Sequence, residues 1–235
     1  MLRLCNFRPQ SIVMFTWVDG SFTQRLDVAC SGAQKLCAAP DNSVYVVTSV
    51  DDRYHVLDFY LPALSRGAFD YSAGRYRIQS AITHIAASDE HVFVARKSFI
   101  ACVRRTDGAV THTIGDPRAA DAYETEMHVT AFCIMRHGAA QCLAAAESWP
   151  RRLLRVYALD GSLLRSWDVD EVPRKCVYRA VSDELLLYVG AARESLYVFT
   201  GIMSGGDVHV RRFVRGSCCV LRRDDADRIP ALNAT

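Results

Sequence analysis

The sequence predicts an all-β repeat fold, and three observations carry that prediction. One is a recurring hairpin segment. Asp19-Gly20-Ser21-Phe22-Thr23-Gln24-Arg25-Leu26-Asp27-Val28 and Asp160-Gly161-Ser162-Leu163-Leu164-Arg165-Ser166-Trp167-Asp168-Val169 agree at five of ten positions and lie 141 residues apart, three times 47. A third copy opens at Asp107-Gly108. Another is a second repeat in a different phase: Asp41, Asp89 and Asp183 each follow a short apolar run and precede one rich in Val, Tyr, Phe or Leu, with spacings of 48 and then 94 residues. The last is that apolar runs of strand length come in fours between these markers. A fixed period of 40–50 residues built from four short strands is the signature of sheet-per-repeat architectures.

The elements follow in order. The first complete unit, about residues 34–71, has strands at Lys35–Ala39, Val44–Ser49, Tyr54–Phe59 and a loosely defined Ala68–Tyr71. The second, 82–114, has Ile82–Ala87, Val92–Arg96, Phe99–Arg104 and Ala109–Ile114. The third, 128–169, has His128–Met135, Cys142–Ala146, Leu153–Leu159 and Leu163–Val169. The fourth, 176–214, has Cys176–Val181, Leu186–Gly190, Ser195–Phe199 and Val208–Val214. Many of these runs are continuously apolar, as strands packed on both faces are. Leu2–Phe7, Ile12–Trp17 and Phe22–Val28 supply three further strands, and Ser217–Arg222 one more. The expectation is therefore a single β-propeller domain over residues 1–235 with about five four-stranded blades, the fifth shared between 1–28 and 217–235. A piece of a larger propeller is the rival account.

The turns have their own chemistry. Asp-Gly between apolar runs predicts a two-residue type I′ hairpin, with φ > 0 at both central residues. Asp19-Gly20, Asp107-Gly108 and Asp160-Gly161 are read that way. Asp41, Asp89 and Asp183 are read as turn formers, because an aspartate carboxylate accepts hydrogen bonds from nearby backbone.

Composition excludes some classes and leaves others open. Half of the 235 residues are hydrophobic, 23% are charged and the net charge is +2. That is ordinary for a globular chain and modest for a dedicated nucleic-acid binder. No apolar run approaches the roughly 18 residues of a membrane span. The N-terminal stretch, broken by Arg3, Asn6, Arg8 and Pro9, is a poor signal peptide. The nine cysteines, none in a Cys-x-x-Cys pair, read as reduced thiols serving as small hydrophobes. The expected location is the cytoplasm, with the nucleus as the second choice.

Arg152–Val169, a hydrophobic–Arg–hydrophobic strand returning through Asp-Gly to Leu-Leu-Arg-Ser-Trp, resembles an NHL repeat; WD-repeat blades are the nearest relative. Trp167-Asp168 falls in a fourth strand, whereas WD blades end their third strand on that dipeptide. The resemblance implies a binding platform for proteins or, in some NHL cases, RNA.

The residues offer little conventional chemistry. His84, His91, His112, His128 and His137 fall at different repeat positions, so no metal ring is expected. Gly201–Gly206 lacks nucleophile-elbow spacing and reads as a flexible hairpin loop. Asp116–Met127 reads as an irregular insertion that could carry binding residues. The candidate binding surface is the Arg/aromatic set Arg151, Arg152, Arg155, Tyr157, Arg165, Trp167, Arg211 and Arg212. The expectation is a non-catalytic scaffold for protein–protein interaction, with no cofactor, metal, membrane contact or small-molecule substrate. RNA binding through the arginine set is the alternative. A five-bladed glycosidase or lyase is the second alternative.

Overall fold

The structure, a computed structural model, describes residues 2–8, 11–18, 21–29, 33–41, 43–51, 54–62, 69–78, 82–96, 98–115, 128–148, 151–190 and 194–214. These residues form nineteen strands in five antiparallel sheets. The first sheet has three strands, β1 (Leu2–Arg8), β2 (Ser11–Val18) and β3 (Ser21–Ala29). Each of the others has four, paired in sequence order. They are β4 (Ala33–Ala38), β5 (Val44–Asp51), β6 (Tyr54–Pro62) and β7 (Phe69–Ile78); then β8 (His84–Ala87), β9 (His91–Ala95), β10 (Phe99–Arg104) and β11 (Val110–Gly115). The fourth sheet is β12 (Val129–His137), β13 (Ala140–Glu147), β14 (Leu153–Ala158) and β15 (Leu163–Asp168). The fifth is β16 (Pro173–Arg179), β17 (Glu184–Val189), β18 (Ser195–Thr200) and β19 (His209–Val214).

Among the described residues four sheets are complete, matching the four complete units read from the sequence, and the first sheet supplies three strands of the expected fifth blade. The strand expected to finish the three-stranded sheet, Ser217–Arg222, lies outside the described residues, as do Asp19, Gly20 and the insertion Asp116–Met127. β7 runs to Ile78, well past the expected Tyr71. The chain divides into two compact units, Met1–Phe93 with Arg104–Ala109, and Val94–Val103 with Val110–Thr235.

The hairpins depart from type I′ in an instructive way. Gly161 has φ +91° and Gly108 φ +71°, as a left-handed glycine should, but neither Asp160 nor Asp107 is among the positive-φ residues. The Gly161 amide donates to the Ala158 carbonyl (3.0 Å) and the Ala158 amide to the Ser162 carbonyl (2.9 Å), so the loop has three residues, 159–161. A turn followed by a left-handed glycine is the usual three-residue solution. Asp160 favours it, because its Oδ1 accepts from the Ser162 amide (2.8 Å) and hydroxyl (2.7 Å). Asp107 likewise accepts from the Ala109 amide (3.0 Å).

Side-chain burial follows position within a sheet. Residues 44–47 of β5, 92–95 of β9 and 143–147 of β13 are buried without alternation. Such second strands are covered on both faces. One face of β12–β15 contributes Met135, Ala144, Ala146, Leu154, Val156 and Trp167 to a core shared with Cys176, Leu185, Leu187, Val189, Tyr197 and Phe199 of β16–β19. Alanines on β13 allow close approach of the sheets, and Trp167 meets Phe199 in a tilted pair with centroids 5.3 Å apart.

β17 is different. It is the second strand of its sheet, yet it alternates buried and open. Directly opposed residues of antiparallel strands share a face. The register Lys175↔Tyr188↔Leu196↔Phe213 and Val177↔Leu186↔Val198↔Arg211 therefore defines the second face of β16–β19. On it Val177 is 43% exposed, Tyr188 37% and Phe213 40%.

Candidate functional site

The Arg/aromatic set does not form one surface. Trp167 and Tyr157 are buried, at 7% and 5% exposure. Trp167 pairs with Leu154 across the strands and so turns into the core toward Phe199. Tyr157, three positions along β14, faces the other side. Neither ring is placed to stack on a base. Arg155 is half-buried and pairs with Glu147 at 3.2 Å, while the Tyr157 hydroxyl donates to the same carboxylate (3.4 Å). Glu147 is only 1% exposed. Burial holds its carboxyl above the ordinary range despite the opposing Arg155 charge. Burial, and then the Glu147 charge, pushes the Tyr157 hydroxyl up to about 12.

The remaining arginines are divided between faces. Arg211 and Arg212 are neighbours on β19 and point to opposite sides. Arg211 pairs with Glu184 at 3.3 Å, a carboxylate that Arg179 also meets at 3.2 Å. Arg212 pairs with Asp170 at 2.5 Å and lies over the Tyr197 ring, 5.3 Å from its centroid. Arg165 donates to the Gly206 carbonyl, at 3.5 Å. Arg152 donates to the Asp170 carbonyl. Arg151 is exposed and meets no carboxylate among the described residues.

The recurring acids serve the backbone. Asp41 accepts from the Ser43 amide at 3.1 Å. Asp183, a non-glycine residue at φ +47°, is buried and accepts from the Tyr178 hydroxyl (2.8 Å) and the amides of Met203 (3.2 Å) and Ser204 (3.1 Å). The loop 201–206 is thereby pinned, with Ile202 buried beneath it, where the sequence suggested flexibility. Asp89 offers its main-chain oxygen to Arg105 at 2.5 Å.

That arginine was not singled out from the sequence. Arg105, in the β10–β11 loop, donates Nε to the Tyr45 hydroxyl (2.6 Å), one terminal nitrogen to the Ser88 and Asp89 carbonyls, and the other to Asp41 Oδ2 (2.5 Å) and Ser43 Oγ (3.2 Å). Its partners span two sheets, so no periodicity within one strand reveals it.

A broad cleft of ≈ 650 Å³ lies at one end of β12–β15, lined by His128, Ser148, Arg151, Arg152, Asp168, Val169 and Val172. Four of these continue the strand ends as a row: the Ser148 amide donates to the His128 carbonyl (3.0 Å), and the Val169 amide to the Arg152 carbonyl (2.9 Å). Ser148 Oγ lies 3.3 Å from His128 Nδ1. Arg151 and Arg152 were legible as a basic pair; His128, Ser148 and Asp168 join them only through the sheet. No group of three or more His, Cys, Asp or Glu side chains able to hold a metal ion occurs among the described residues. Nor is any helix there long and apolar enough to cross a membrane.

Four-stranded antiparallel sheets paired in sequence order, with a shared core between β12–β15 and β16–β19, fit the β-propeller class. Solved structures agree. The chain is similar to Hsv2 of Kluyvelomyces marxianus, with a TM-score of 0.59 and 13% identity over 92% of this chain and 62% of that one. It is also similar to hydrazine synthase of Kuenenia stuttgartiensis, with a TM-score of 0.58 and 11% identity over 88% of this chain and 60% of that one. The chain thus spans about three fifths of either structure. At these identities the likeness shows the fold alone. No protein-family model and no curated protein sequence matches the chain.

Proposed function

We propose that this chain is a non-catalytic, NHL-like propeller scaffold that holds a partner protein in the cytoplasm or nucleus. The second face of β16–β19 is the observation that carries this reading. The equivalent second strands β5, β9 and β13 carry runs buried on both sides, whereas β17 leaves Leu186 half-buried and Tyr188 exposed beside Val177 and Phe213. An open sheet face with three large apolar side chains suits association. Its rim is basic, because Lys175 lies opposite Tyr188 and Arg179 and Arg211 share Glu184. The chemistry fits a partner with an apolar patch bordered by aspartates and glutamates. A protein is favoured over RNA because Tyr157 and Trp167 belong to the core.

The test is quantitative affinity capture from cells with wild-type protein and with Tyr188→Glu and Val177→Glu, alongside solution mass. Specific partners should be lost from both variants while the melting temperature holds. Partners retained equally by all three proteins would overturn the reading. So would a face that the chain covers by pairing with a second copy of itself.

A further inference from the structure

The cleft at the end of β12–β15 is separate from the open face just described and has its own chemistry. Its floor is main chain already satisfied within the sheet, so the side chains are available to a ligand. Arg152 is held by its bond to the Asp170 carbonyl, which fixes one edge of its guanidinium; its other donors meet no carboxylate among the described residues. Arg151 beside it is exposed, with no carboxylate partner among the described residues. Ser148 and His128, 3.3 Å apart, add a hydroxyl and a ring nitrogen. Val169 and Val172 supply apolar wall, and Asp168 is the acid among the described lining residues.

We infer that this cleft is a binding site for an acidic peptide segment, with Arg151 and Arg152 gripping a carboxylate and the valines taking the small apolar residue next to it. Guanidinium–carboxylate contacts are charge-assisted and frequently bidentate, so two adjacent arginines select a planar acid. Asp168 opposes a continuous polyanion, since a second phosphate along a nucleic-acid backbone would meet its charge. The wide mouth suits an extended chain passing over the sheet end better than an enclosed small molecule.

Fluorescence anisotropy with a fluorescein-labelled peptide carrying one glutamate followed by valine in a glycine–serine background tests this, against the same peptide with glutamine for glutamate and against hexauridine RNA. The glutamate peptide should bind saturably in the micromolar range and weaken as salt rises. Arg151→Glu should weaken it at least about tenfold, the effect of losing one charge-assisted contact. Arg151 is exposed, so its variant should melt like wild type; Arg152→Gln provides the second variant. Tyr188→Glu, on the other sheet, should leave this binding unchanged, which separates its failure from failure of the scaffold reading. Equal binding of the glutamine peptide, tighter binding of RNA, insensitivity to Arg151→Glu, or no saturation by about 1 mM would each overturn the inference.

Discussion

Arg105→Ala gives the sharpest test of the inter-sheet contacts. The Arg105 side chain is 10% exposed and makes five hydrogen bonds, to Tyr45, Ser43, Asp41 and the carbonyls of Ser88 and Asp89. Its guanidinium also lies over the Tyr45 ring, 5.5 Å from the centroid. The Asp41 contact contributes least, because that carboxylate is 50% exposed and screened by water; about 0–1 kcal/mol is typical. The buried contacts matter more. Tyr45 is fully buried, and losing the donor to its hydroxyl costs on the order of 1–3 kcal/mol. With the partly buried Ser43 and carbonyl contacts, the expected loss is about 3–4 kcal/mol, as for other broken buried networks. In a chain of this size that lowers the melting temperature by roughly 6–16 °C. Arg105→Lys keeps one charge but cannot span Tyr45, Asp41 and two carbonyls together, so it should fall between wild type and alanine. Asp41→Asn should shift melting by no more than about 2–4 °C. Scanning calorimetry on the four proteins decides the matter. Arg105→Ala melting with wild type, or Asp41→Asn costing as much as Arg105→Ala, would refute the reasoning.

Three other perturbations follow from the same geometry. Gly161→Val forces a branched side chain to φ +91°, with its Cβ 3.2 Å from His112 Cδ2 and 3.4 Å from Ile114 Cγ1; a loss of about 2 kcal/mol or more is expected in urea unfolding. His84 is held neutral by burial and by the Lys35 charge, down to about 4 from its ordinary 6.5. Its contribution is complete above pH 6.5 and lost as pH falls toward 4, so His84→Gln should flatten stability across that window. Asp41 acts lower: burial raises its carboxyl, but the Arg105 and Ser43 hydrogen bonds prevail and hold it below the usual range, so its contribution fades only under pH 4. The thiols of Cys37 and Cys102 are pushed up by burial, and that of Cys176 by its Cys133 hydrogen bond and burial. Site-resolved alkylation at pH 8 should therefore be slower at these three in the folded protein than in urea; equal rates would show that they are accessible.

The strands and their grouping were legible in the sequence because both are local. Runs such as Val92–Ala95 and Phe99–Val103 are apolar without alternation, which two-sided burial explains, and the spacing of Asp41, Asp89 and Asp183 set the phase of the units. The left-handed glycines at 108 and 161 were equally local, though the loop length was not: Asp160 lengthens its turn through a carboxylate bond to Ser162 that the Asp-Gly dipeptide does not announce. What the tertiary structure decided is which side of each strand is covered and by what. Trp167 and Leu163 sit on one strand, yet the first is core and the second is open, since only the register with β14 aims Trp167 at Phe199. Arg105 reaches Asp41 and Tyr45 some sixty positions away, and Asp183 reaches Ser204 across a hairpin. Charged side chains find partners through space rather than along the chain, so the arginine set that looked continuous in sequence is divided between a buried pair, an open face and a cleft.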